Sequence, residues 1–98
     1  MADWKLRIEL GAKQDIRDGF EYYKQEAGVE IARRFRDVVR MGMGKVKEAP
    51  ERWPVFNDEG ERHYVIQKFP YVIIYNIRGD TIVVFAVGHT KREPGYYR

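Results

Sequence analysis

The sequence predicts an α+β domain, a helical hairpin packed on a mostly antiparallel four-stranded sheet in the order β-α-α-β-β-β. Three observations lead there. Apolar residues alternate with polar ones near the start, two stretches then repeat them at three- and four-residue spacing, and three β-branched, aromatic runs follow with short turns between them. Ninety-eight residues support one core, so residues 1–98 are expected to form one domain.

Trp4, Leu6, Ile8 and Leu10 alternate with Lys5, Arg7 and Glu9, the pattern of a half-buried strand that Gly11 ends. Ala12, Ile16, Phe20, Tyr23 and Ala27 form the apolar stripe of a helix that stops at Gly28. In a second helix Ala32, Phe35, Val39, Gly42, Val46 and Ala49 make a seam that Val38 and Met43 widen. Gly42 and Gly44 each cost a helix about 1 kcal/mol relative to alanine, which predicts either close packing at Gly42 or a bent C-terminal half. Pro50 closes the helix, and residues 50–60, with two prolines, a glycine, Trp53 and Phe56, read as a loop.

Strands are expected over 62–67, 71–78 and 81–89 as an antiparallel meander. Gly79-Asp80 has the glycine-first order of a type II′ hairpin turn. Val72, Ile73, Ile74 and Tyr75, then Ile82 to Val87, are almost continuously apolar, so both faces of these strands should be covered. The helices cover one face. Loop and tail, or a partner, are expected over the other.

Composition removes several kinds of chemistry. The chain has no cysteine and no serine, and Thr81 and Thr90 are its only threonines, so thiolate and serine nucleophiles are excluded. His63 and His89 are its only histidines, and neither a metal site nor a cofactor is expected. No apolar run approaches a bilayer span, no secretion signal opens the chain, and a cytoplasmic protein without membrane association is expected.

The net charge of +3 is unevenly distributed. Between 31 and 47 stand Arg33, Arg34, Arg36, Arg40, Lys45 and Lys47 against Asp37 alone; between 48 and 61 stand Glu48, Glu51, Asp58, Glu59 and Glu61 against Arg52 alone. Arg33, Arg36, Arg40 and Lys47 fall on the helix face opposite the seam, either a solvated surface or a dock for an acidic partner. Arg34 and Asp37, at i,i+3, can pair locally. The tail carries His89 at a strand end, Lys91 and Arg92 next, then Pro94-Gly95 and the rings of Tyr96 and Tyr97. This set suits a phosphodiester or a nucleobase. A metal-independent ribonuclease could draw its base from His89, its cations from Arg62 and Arg92 and its acid from Tyr96. The same residues could equally be structural.

The segment from Arg62 to Tyr75, with its Phe69-Pro70-Tyr71 turn, and the tail His89-x-x-Arg92-x-Pro94-Gly95-Tyr96 resemble the RelE/ParE superfamily of toxins from bacterial type II toxin-antitoxin systems. The likeness spans roughly residues 6 to 97, with Tyr97 where similar sequences often carry tryptophan. It implies a cytoplasmic toxin neutralised by a cognate antitoxin, in a higher-order complex. RelE-like members cut messenger RNA on the ribosome, whereas ParE-like members inhibit DNA gyrase by binding it. The acidic 48–61 stretch argues against contact with ribosomal RNA and leans toward the ParE-like branch, without chemistry of its own. A ribosome-dependent endoribonuclease is the alternative, and a module that only binds its antitoxin is a third. The expected target-binding residues are His89, Lys91, Arg92, Tyr96 and Tyr97, and the expected antitoxin-binding residues are Arg33, Arg36, Arg40, Tyr71, Ile73 and Tyr75.

Overall fold

The computed structural model describes residues 3–91. Strand β1 (Lys5–Ile8) runs almost directly into α1 (Leu10–Ala27), Gly28 joins α1 to α2 (Val29–Glu48), and a 3-10 turn at Pro50–Arg52 follows. Strands β2 (Arg62–Val65), β3 (Tyr71–Arg78) and β4 (Thr81–His89) come next. The sheet order is β1-β4-β3-β2; β1 lies parallel to β4 and the other pairs are antiparallel. This is the expected architecture.

The first strand is shorter than its alternation predicts. Glu9 donates its N–H to the Val84 carbonyl at 3.0 Å, a sheet bond, and accepts from the Lys13 N–H at 3.0 Å, a helix bond. One residue thus ends the strand ladder and begins the helix, leaving Leu10 82% exposed in the first helical turn. Along α1 the inward track is Ala12 and Gly19, buried, with Ile16 and Tyr23 half-buried, while Phe20 turns toward α2 and lies under the Arg36 guanidinium, 5.4 Å from its ring centroid. Ala27 is exposed.

The α2 seam buries Ala32, Phe35, Val39, Gly42, Met43 and Val46. The helix continues through Gly42 to Glu48, so close packing is the outcome there. A Cβ on Gly42 would lie 2.9 Å from Tyr64 Cε1 and 3.0 Å from Ile73 Cδ1. On the hairpin side, Gly79 has φ 61° and Asp80 is not among the positive-φ residues, as a type II′ turn requires. Strand β2 stops at Val65, two residues early. The Ile66 N–H reaches the Tyr71 carbonyl at 2.9 Å across a tight loop in which Lys68 takes φ 70°.

The core lies between the helical hairpin and one sheet face. Phe35 is at its centre and fully buried, with ring centroids 4.9 Å from Tyr71, 5.3 Å from Tyr23 and 5.4 Å from Phe69. A buried ring of this size contributes about 2–3 kcal/mol by transfer from water. The other sheet face is less open than expected: Ile74, Val83 and Ala86, which alternate with the core-facing residues, are all buried. Its large exposed apolar side chain among the described residues is Val65, and Val55 and Phe56 are exposed in the loop before β2.

Candidate functional site

Strand β4 delivers His89 to the helix side of the sheet. Its register partner is the core-facing Tyr71, and the two rings meet edge to face at 5.2 Å. His89 Nδ1 accepts the Lys91 N–H at 3.1 Å, which fixes the ring against the start of the tail and leaves Nε2 as the protonated nitrogen of the neutral ring. A cleft of about 370 Å³ opens here between β4 and α1, lined by Asp15, Asp18, Tyr22, Tyr71, His89 and Lys91 among others. Asp15 accepts the Val87 N–H at 3.0 Å and ties α1 to β4 beyond the point where β1 ends opposite Val84. Asp18 accepts from Gln14 at 2.8 Å. Sequence reasoning missed Asp15, Asp18 and Tyr22; their i, i+3, i+7 spacing marks one face of α1, but nothing local ties that face to His89.

Of the expected target-binding residues, His89 and Lys91 share this cleft. Arg92, Tyr96 and Tyr97 lie outside the described residues. Arg62 is elsewhere. It pairs with Tyr75 across β3, whereas His89 pairs with Tyr71 on the opposite side of that strand. Four residues of strand separate the two levels, roughly 13 Å. The Arg62 guanidinium donates to the carbonyls of Glu51 and Trp53, pinning the turn that follows α2. Arg62 and His89 are thus held apart in this structure.

Tyr71, Ile73 and Tyr75, expected to meet an antitoxin, point into the core; Ile73 and Tyr75 are fully buried and Tyr71 is 8% exposed. Core-facing alternation in β3 takes them from the surface. The Tyr75 hydroxyl donates to the Pro50 carbonyl at 2.6 Å, and burial pushes its pKa up to about 12 against a smaller opposing effect of Arg62. Between pH 10 and 12 the folded chain keeps a proton that the unfolded chain has lost, so stability falls as pH rises through that window. Tyr75→Phe should flatten this fall in urea titrations. At neutral pH it should cost about 1–3 kcal/mol, because the Pro50 carbonyl loses its donor in a buried site.

Arg33, Arg36 and Arg40 are exposed as expected. The local ion pair on this face is Arg33 with Glu30 at 3.0 Å; Arg34 and Asp37 form none. Lys13, Ile16, Arg17 and Phe20 of α1 meet Arg36 around a shallow groove of about 240 Å³, so the cationic stripe borders apolar surface. In the acidic stretch Glu48, Glu51, Asp58 and Glu59 are exposed, while Glu61 is buried and tied to Asn57 by two hydrogen bonds of 2.7 and 3.0 Å. Among the described residues no group of three His, Asp or Glu side chains could hold a metal, and no helix is long and apolar enough to cross a membrane.

The family model for the ParE toxin of the type II toxin-antitoxin system parDE matches residues 6–94. The chain belongs to the ParE toxin family. Toxin ParE2 of Mycobacterium tuberculosis is 28% identical over 91 residues, 92% of this chain and 85% of that protein. Among solved structures, the chromosomal ParDE toxin-antitoxin system from P. aeruginosa superimposes with a TM-score of 0.82 at 13% identity, covering 89% of this chain and 96% of that one. The RelBE2 toxin-antitoxin complex from Mycobacterium tuberculosis gives 0.62 at 20% identity, covering 91% and 93%. This ParE family member is thus the toxin partner of a type II toxin-antitoxin pair, and an antitoxin is its partner.

Proposed function

We propose that this ParE family toxin inhibits DNA gyrase by binding it, performs no covalent chemistry, and is neutralised by an antitoxin seated on the Arg33, Arg36 and Arg40 stripe. The observation that supports binding over catalysis is the separation of Arg62 from His89. Arg62 is spent on the carbonyls of Glu51 and Trp53, so the base and the cation that a phosphodiester-cleaving centre must hold together stand apart. Cytoplasmic action and assembly into a higher-order complex go with this reading.

Gyrase supercoiling assays with purified toxin test it. Inhibition should appear at toxin excess and vanish on adding the antitoxin. Intact supercoiling, together with cleavage of messages in a reconstituted translation mixture, would replace gyrase with the ribosome as target.

A further inference from the structure

Strand β4 is built in two segments. Residues 81–84 pair with β1 on one edge and with β3 on the other. The β3 register then shifts, Tyr75 standing opposite Val84 and Ile74 opposite Ala86, so Phe85 is an extra residue, a β-bulge. The bulge changes which side chains face the helices. Ile82 and Val84 lie in the core, and straight alternation would continue with Ala86 and Gly88, yet the next core residue is Val87. His89, two residues on, follows Val87 to the helix side and meets Tyr71 there. Without the extra residue its imidazole would stand on the opposite face.

The segment beyond the bulge lacks β1. That strand ends opposite Val84, where Glu9 turns into α1, and among the described residues no strand borders 86–89 on that edge. Helix α1 crosses the strand here. A Cβ on Gly11 would lie 3.7 Å from the Phe85 carbonyl oxygen, and one turn later the Asp15 carboxylate accepts the Val87 N–H at 3.0 Å. Val87 is 1% exposed, so water has little access to take the carboxylate's place.

We propose that Asp15 is a positioning residue for target binding: its carboxylate takes the place of β1 along the second half of β4 and holds His89 and Lys91 in the cleft between β4 and α1. This rests on the reading that His89 and Lys91 meet the target. Asp15 spends Oδ2 on Val87, so it acts through the strand and not by touching the target. The strand end in turn carries the chain that follows. The Thr90 N–H donates to the Pro70 carbonyl at 2.8 Å, and the Lys91 N–H to His89 Nδ1 at 3.1 Å. Losing the carboxylate leaves 86–89 paired with β3 alone, across a bulge from the half that β1 anchors. His89 and Lys91 then lose their fixed place in the cleft, and binding has to supply the order that the free toxin no longer has.

The test compares full-length variants: Asp15→Ala removes the acceptor, Asp15→Asn keeps an oxygen in its place, and Tyr75→Phe loses a buried hydrogen bond elsewhere. Amide exchange at Val87 to His89, measured by NMR relative to 81–84 of the same chain, should be faster by roughly tenfold or more in Asp15→Ala and within about threefold of the parent in Asp15→Asn. Half-inhibition of gyrase supercoiling should need roughly tenfold more Asp15→Ala toxin, while Asp15→Asn and Tyr75→Phe act like the parent and every variant keeps the parent's affinity for the antitoxin. A merely structural role would weaken Tyr75→Phe, or antitoxin binding, alike, and would overturn the proposal. So would parent-like exchange at 87–89 in Asp15→Ala, or faster exchange there with parent-like inhibition, both of which leave gyrase as the target. Lost inhibition with parent-like exchange in Asp15→Asn would put the carboxylate on the target itself and overturn the positioning role. A parent chain that leaves supercoiling intact overturns the proposed function instead, and the exchange comparison still decides whether Asp15 holds the strand end.

Discussion

Phe35→Ala is expected to destabilise the toxin by about 3–5 kcal/mol, the range for truncating a fully buried aromatic ring in a core that cannot collapse. Collapse is hindered on every side. Tyr23, Phe69 and Tyr71 hold the ring from α1, the loop after β2 and β3, and their own positions depend on it. Gly19 approaches so closely that a Cβ there would lie 2.6 Å from Phe35 Cζ, so the α1 backbone itself is shaped to the ring. A domain this size has about 5–15 kcal/mol of stability in all, so one substitution removes a large part of it. Thermal unfolding should shift down by roughly 15 °C or more. A shift of only a few degrees would mean that the ring's neighbours fill the space.

The second large effect concerns binding. Reversing Arg33, Arg36 and Arg40 to glutamate should weaken the antitoxin complex by roughly a hundredfold or more, about 1 kcal/mol for each reversed contact. The three side chains are exposed and lie outside the buried α2 seam, so the free toxin should melt within a few degrees of the parent. Arg36 is the exception to watch because its guanidinium covers Phe20. Calorimetric titration of the antitoxin into each toxin, repeated at raised salt, checks the prediction. Unchanged affinity would move the dock away from this helix.

Much of the fold was legible because local signals agreed. Strands β3 and β4 match their expected limits to the residue, since Gly79-Asp80 sets the turn and the β-branched runs on each side favour no other state. The α2 seam was equally clear. Limits failed where a helix start overrode the pattern: Leu10 continues the alternation of β1, yet Glu9 had already committed its carbonyl to Lys13.

The site was less legible. His89 and Lys91 could be singled out by type and place, but the Asp15 contact that builds their cleft spans 72 residues of sequence. Arg62 looked like a catalytic cation because sequence shows its charge and hides its two carbonyl partners. Tyr71, Ile73 and Tyr75 lay in a run apolar on both faces, where alternation cannot say which residues face the helices.

The parallel pairing of β1 with β4, Lys5 opposite Thr81 through Ile8 opposite Val84, has a consequence for biosynthesis. Strand β1, made before both helices, finds its neighbour among the described residues in β4, made after them, and α1 likewise waits for Val87 to meet Asp15. A nascent chain can assemble the helical hairpin early, yet its sheet stays without one border until residues 81–89 have emerged. Stalled or truncated products lacking 81–89 should therefore be harmless to the cell and readily degraded.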